Sequence, residues 1–151
     1  MRTIIQRVHQ AEITIDYEEK RKIKQGLVVF LGVLKGDTEK QSAFLADKIC
    51  NLRIFKDSND KMNLSLKDID GEILIVSNFT LATDCAHGRR PSFDNSAPFD
   101  EANHLYEHFI HCVKDQAIRN VQTGKFASHM DVEVHNDGPV NIILDTEKIG
   151  K

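Results

Sequence analysis

The sequence predicts one domain of the α/β (α+β) class over residues 1–151, a mixed, barrel-like sheet core with two main helices. Three observations carry this. Gly26–Leu34 and Ile73–Val76 are apolar without alternation, as strands covered on both faces are. Two later segments repeat apolar residues at helical spacing. No internal repeat, low-complexity stretch or Pro/Gly-rich linker divides the chain.

The elements follow in order. Thr3–Val8 and Ala11–Tyr17 mix β-branched and polar residues, the pattern of half-buried strands. Gly26–Leu34 is a central strand. Thr38 and Gln41 have capping-box spacing, and Leu45, Ile49 and Leu52 then recur at i, i+4 and i+7, so a first helix begins there. Arg53-Ile54-Phe55 begins another strand, and Asp57-Ser58-Asn59-Asp60 is turn chemistry. Ile73–Val76 is the second buried strand, and Leu81–Ala97 reads as a long polar loop. A second helix runs from about Pro98, a residue suited to a first turn, to about Arg119. Val121–Gly124 reads as a turn. Met130–His135 and Val140–Leu144 read as a closing pair of strands.

Composition excludes several function classes. Hydrophobic residues make up 40% and charged residues 28%, ordinary values for a soluble globular protein. No apolar run approaches the ~20 residues of a membrane helix. The N-terminal Met1–Arg7 lacks the apolar region of a signal peptide. Cys50, Cys85 and Cys112 are widely and irregularly spaced, unlike a disulfide framework or zinc knuckle, so the expected location is cytoplasmic. The net charge of −3 argues against gripping a long duplex, and no DNA partner is expected. Two basic runs remain candidates for local phosphate contact. Lys20-Arg21-Lys22 with Lys24 reads as solvated surface; Arg89-Arg90 is the other. No Gly-x-Gly-x-x-Gly or Walker loop is present, and no cofactor is expected.

Four constellations bear on chemistry. His104, His108 and His111 share one stripe of the second helix. Leu105, Tyr106, Phe109, Cys112 and Val113, with Ala102 at the middle, occupy the other arc, which must face the core, so the histidines are expected to face water and no metal site is expected. Cys85 lies in the polar loop without an evident activating base. Ser77-Asn78-Phe79-Thr80 ends a buried strand, where ligands of open α/β sheets tend to sit. It offers hydroxyls, an amide and a stacking ring, although such polar groups also commonly satisfy loop backbone. Thr80 has no apparent base to make it a nucleophile. Gly138-Pro139 is commonly a turn; its other reading is a backbone that approaches a ligand closely, with a cis bond directing neighbouring carbonyls.

The chain resembles the D-aminoacyl-tRNA deacylases over nearly its whole length. The matching pieces, in order, are Gln6-Arg7-Val8, Leu31-Gly32-Val33, Arg53-Ile54-Phe55, Lys61-Met62-Asn63, Ser77–Asp84, Arg90-Pro91-Ser92-Phe93, Leu105-Tyr106, Gln122-Thr123-Gly124 and Asn136–Val140. Each is weak alone; their order makes them specific.

The resemblance implies a homodimer with composite active sites that cuts D-amino acids from the 3′-terminal adenosine of tRNA, as proofreading in translation. Phe79 would lie against the base, with Asn78 beside it and Ser77 and Thr80 near the ribose and ester. Gly138-Pro139, cis in this family, would enter the partner's pocket as the chirality filter, and Arg7 would help hold it. Backbone N–H groups near Thr80 would stabilise the oxyanion, with the substrate's 2′-hydroxyl assisting proton movement. That route accords with the missing catalytic base, and stacking on a single-stranded RNA end tolerates the negative net charge. Two positions depart from the family pattern: Asn78 stands where glutamine is usual, and Asn141 where threonine is usual. Two rival functions share the Ser77–Thr80 segment: capture of nucleotide or RNA ends without catalysis, and hydrolysis of a small non-RNA ester. Gly138-Pro139 favours chirality-selective deacylation over both.

Overall fold

The computed structural model describes residues 1–149. Its spine is one long strand, β1 (Arg2–Ile15). Along one edge β1 pairs antiparallel first with β3 (Gly26–Gly32) and then with β2 (Glu19–Ile23). Along its other edge runs β8 (Met130–Asp145), also antiparallel and nearly as long. β3 pairs parallel with β6 (Glu72–Ser77), and β6 pairs parallel with β7 (Asn120–Thr123). The sheet then curls back. Arg21 of β2 donates to the Thr123 carbonyl at 2.6 Å. Gly124 brings the end of β7 so near β8 that a Cβ there would lie 2.4 Å from Met130 Sδ. The result is a nearly closed, barrel-like mixed sheet. A separate ribbon pairs β4 (Phe55–Lys56) with β5 (Met62–Leu64).

Both apolar strands are covered on two faces, which is why their sequences do not alternate. Leu27, Val29, Ile73 and Ile75 face a large core against the helices α1 (Glu39–Cys50) and α2 (Phe99–Lys114). Val28, Leu74 and Val76 face a second core with Val8, Ile13, Ile15 and Ile23. The Thr38–Gln41 capping box forms at the start of α1, as its spacing requires.

The structure corrects several sequence-based expectations. Thr3–Val8 and Ala11–Ile15 are one strand, because β1 keeps pairing through the intervening residues with a local irregularity, and Asp16 and Tyr17 already lie in the turn that follows. The basic run at Lys20 is a strand, β2, in which Lys20 and Lys22 are exposed and Arg21 is half-buried against the end of β7. Val121–Gly124 is mostly strand β7 rather than turn. Within Leu81–Ala97 the chain first completes a short 3-10 turn, Phe79–Ala82. The second helix ends at Lys114, short of Arg119. His104 and His111 are exposed, but His108 is half-buried, with its Nδ1 3.0 Å from Ser42 Oγ on α1. Met130–His135 and Val140–Leu144 do not pair with each other. They belong to one strand, β8, and both halves pair with β1.

Candidate active site

Because β3 and β6 run parallel, their C-terminal ends open on the same side, and Ser77 lies level with Leu31. The Asn78 N–H donates to the Leu31 carbonyl at 2.8 Å, which fixes the chain as it leaves the sheet. Asn78 then caps the 3-10 turn: its Oδ1 accepts from the Thr80 N–H at 3.2 Å and also from the Thr80 hydroxyl.

Here a cleft of about 540 Å³ opens between the sheet and α2. Leu31, Val33, Tyr106, Phe126 and Met130 are among the apolar residues lining it, and Ser77, Asn78, Ser96 and Ser128 bring polar groups. Phe79 and Phe99 also line it and are 58% and 62% exposed, so their rings remain open for stacking. Each is braced edge-on by a second ring at 5.1 Å: Phe93 beside Phe79, and Phe126 beside Phe99.

Among the described residues the lining contains no carboxylate, imidazole, amine, guanidinium or thiol. Its one titratable group is the Tyr106 phenol, which donates to the Ile75 carbonyl at 3.0 Å. Burial drives its pKa well above the ordinary phenol range, so it stays protonated. Thr80 is exposed and does not line the cleft, and its hydroxyl is held by an amide oxygen that cannot act as a base. The Thr80 N–H is likewise occupied by the Asn78 cap, whereas the Phe79 N–H lies outside that cap.

Gly138 and Pro139 lie elsewhere on this chain and do not line the cleft. β8 steps out of register opposite Arg7: Gln6 pairs with Asn141 and Val8 with Asn136, so Asp137–Val140 form a bulge in which Gly138 and Pro139 are exposed and Asp137 and Val140 half-buried. The Gly138–Pro139 bond is cis, and Gly138 has φ +131°. A Cβ on Gly138 would lie 2.9 Å from Val140 Cγ2 and 3.2 Å from Arg7 Nη2, so glycine is required on two counts.

The buried Arg7 supports this bulge from below. Its Nε is 3.2 Å from both the Asp137 carbonyl and the Asp137 carboxylate, and its Nη1 donates to the Ile54 carbonyl at 2.6 Å. Three amides brace the flanks. Gln6 Nε2 and Asn136 Nδ2 donate to Asn141 Oδ1 at 2.9 and 3.0 Å, and Asn136 Oδ1 accepts from the Val140 N–H at 3.1 Å. Sequence reasoning missed Asp137 and Gln6 as supports, and also Phe99, Phe126 and Met130, which converge on the cleft from separate segments. Among the described residues no group of three or more His, Cys, Asp or Glu is placed to hold a metal, and no helix is long and apolar enough to cross a membrane.

Comparison with known proteins agrees with this architecture. The family model described as D-Tyr-tRNA(Tyr) deacylase matches residues 4–145. The chain is 50% identical over 149 residues to the D-aminoacyl-tRNA deacylase of Thermotoga petrophila, covering 99% of each chain. It is 52% identical over 148 residues to that of Clostridioides difficile, covering 98% of this chain and 99% of the relative. The solved structure of the c-Myc DNA Unwinding Element Binding Protein superposes with a TM-score of 0.89 at 35% identity, over 96% of this chain and 98% of that one. A match across nearly the whole length, with this identity, is decisive: the chain belongs to the D-Tyr-tRNA(Tyr) deacylase family.

Proposed function

We propose that this protein hydrolyses the ester of D-aminoacyl-tRNA, releasing the D-amino acid and the tRNA, and that it sets L-aminoacyl-tRNA aside. Family membership supports the reaction. The observation that carries the mechanism is a cleft with stacking rings and polar groups in which, among the described residues, no side chain can take up a proton. Such a lining suits a substrate that brings its own assisting hydroxyl. The terminal adenine stacks on Phe79, with Asn78 beside it. The ribose and ester lie by Ser77 and the following turn. Backbone N–H groups of the turn meet the developing oxyanion. Phe79 supplies one directly, and Thr80 supplies another once Asn78 releases it. The 2′-hydroxyl next to the ester relays the proton between attacking water and leaving oxygen.

In this reading the site is completed by a second copy of the chain. Gly138 and Pro139 are exposed, braced and absent from the lining of their own cleft, which suits insertion into a partner's. There a fixed backbone carbonyl blocks the position of an L side chain. Arg7 positions the bulge and does not touch the reacting atoms.

A comparison of D-Tyr-tRNA with D-tyrosine ethyl ester tests the mechanism, together with a D-Tyr-tRNA ending in 2′-deoxyadenosine. The expected outcome is turnover of the ribose ester only, with the 2′-deoxy substrate slowed by about a hundredfold or more. Equal turnover of the small ester would assign the cleft to a general esterase, and binding of tRNA without release would make it a capture module.

A further inference from the structure

We infer that Arg89 and Arg90 hold backbone phosphates of the single-stranded RNA end just 5′ of the terminal adenosine. The inference rests on the deacylase reading and adds a polynucleotide contact to it.

Of the two basic runs in the sequence, one is already committed. Lys20 and Lys22 pair with Glu12 at 2.9 and 2.7 Å, and Arg21 pairs with Glu19 at 2.7 Å. Arg89 and Arg90 differ. Both are exposed, and among the described residues neither forms an ion pair with a carboxylate. The nearby Asp84 carboxylate is also exposed and accepts from the Ala86 N–H of the same loop at 2.8 Å.

The loop that carries them is rooted at the cleft. Asp84 and Ser92 close its base with two backbone hydrogen bonds, of 2.9 and 2.8 Å. The next residue, Phe93, puts its ring 5.1 Å from that of Phe79 on the cleft rim. An RNA end whose last base stacks on Phe79 therefore passes this loop as it leaves. The chain carries a net charge of −3, so its overall field does not attract RNA, and a local pair of cations is what the approaching backbone needs. Guanidinium groups suit this because their planar fork matches two phosphate oxygens.

The test measures kcat/KM on D-Tyr-tRNA and on 3′-O-D-tyrosyl-adenosine, which has the ester and base but no phosphates. The enzymes are wild type, Arg89→Ala/Arg90→Ala, Arg89→Lys/Arg90→Lys, and a control, Lys20→Ala/Lys22→Ala, that removes the same charge elsewhere. Each phosphate contact on a single strand contributes a slope of about −0.7 in log–log salt dependence. Losing two contacts makes the slope shallower by about 1.4, so between about 50 and 200 mM salt the wild type should lose about sevenfold more activity than the alanine pair. The alanine pair should lose activity on tRNA and keep wild-type activity on the nucleoside ester. The lysine pair should recover part of the loss, and the control should match wild type. Unchanged tRNA kinetics, equal loss on both substrates, or an equal loss in the control would overturn the inference while leaving the deacylase reading intact. A wild type inert on both substrates would remove that reading, and this inference with it.

Discussion

The Arg7 guanidinium meets the Asp137 carboxylate at 3.2 Å, directly under the outward step of β8 that carries Gly138 and Pro139. Arg7 is 3% exposed, so it also needs the Asp137 and Ile54 carbonyls to satisfy its other donors. The bulge is thus tied to β1 beneath it and to Ile54, near the β4–β5 ribbon. Removing the guanidinium takes its donors from the Asp137 and Ile54 carbonyls and leaves the Asp137 carboxylate with His9 alone, at 3.5 Å. Arg7→Ala should lower stability by about 3 kcal/mol, measured by denaturant unfolding. Arg7→Lys should fold better but cannot reach both acceptors, so its kcat/KM on D-Tyr-tRNA should still fall at least about tenfold.

In the proposed dimer, Gly138→Ala should abolish most D-activity without changing the sedimentation of the protein from that of wild type. The added Cβ meets Val140 and Arg7, at a backbone angle that suits glycine, and nothing in the cleft of its own chain changes. Mixing this variant with an inactive variant of the Ser77–Thr80 segment should restore activity in some mixed pairs, because the proposed composite site draws one part from each chain. Full activity of a stable monomer would contradict the composite site.

Much of this was legible in the sequence, for physical reasons that also explain the misses. Continuous apolar runs identify β3 and β6 because both faces are covered. The Thr38–Gln41 pair identifies the start of α1 because its bonds are local. β2 escaped notice because its lysines and arginine give no apolar pattern. Gly138-Pro139 reads as a turn because a bulge and a turn share the same residues. Only pairing to β1, which lies more than a hundred residues away in sequence, shows that the strand resumes. The cleft was half legible. Ser77–Phe79 follow an obvious strand, but Tyr106, Phe126 and Met130 converge on it only through the fold.

Thr80→Ala should retain most activity, within about tenfold of wild type in single-turnover assays. The hydroxyl it removes only joins the Asn78 cap, and the backbone N–H survives. A covalent threonine mechanism requires a loss of about a thousandfold or more, and an acyl-enzyme trapped on Thr80.

Glu72 sets an acid limit on stability. Burial alone would raise its pKa. The Lys24 N–H at 2.8 Å, the Asn120 amide at 2.9 Å and Arg119 at 2.7 Å outweigh burial and hold it below the ordinary 4.5. A folded-state pKa below the unfolded one gives stability that is complete above the unfolded value and lost as pH falls through the folded value. Unfolding midpoints should therefore drop below about pH 4.5 in wild type. In Glu72→Gln they should be lower at neutral pH and fall less steeply on acidification.

Tyrosine release from D-Tyr-tRNA and L-Tyr-tRNA, each with and without EDTA, separates D-specific deacylation without a bound cofactor from every rival. Rapid release is expected from the D-substrate, release at the rate of the enzyme-free control from the L-substrate, and no effect of EDTA on either. Comparable release from both substrates, or activity abolished by EDTA and restored by Zn²⁺, would contradict that reading.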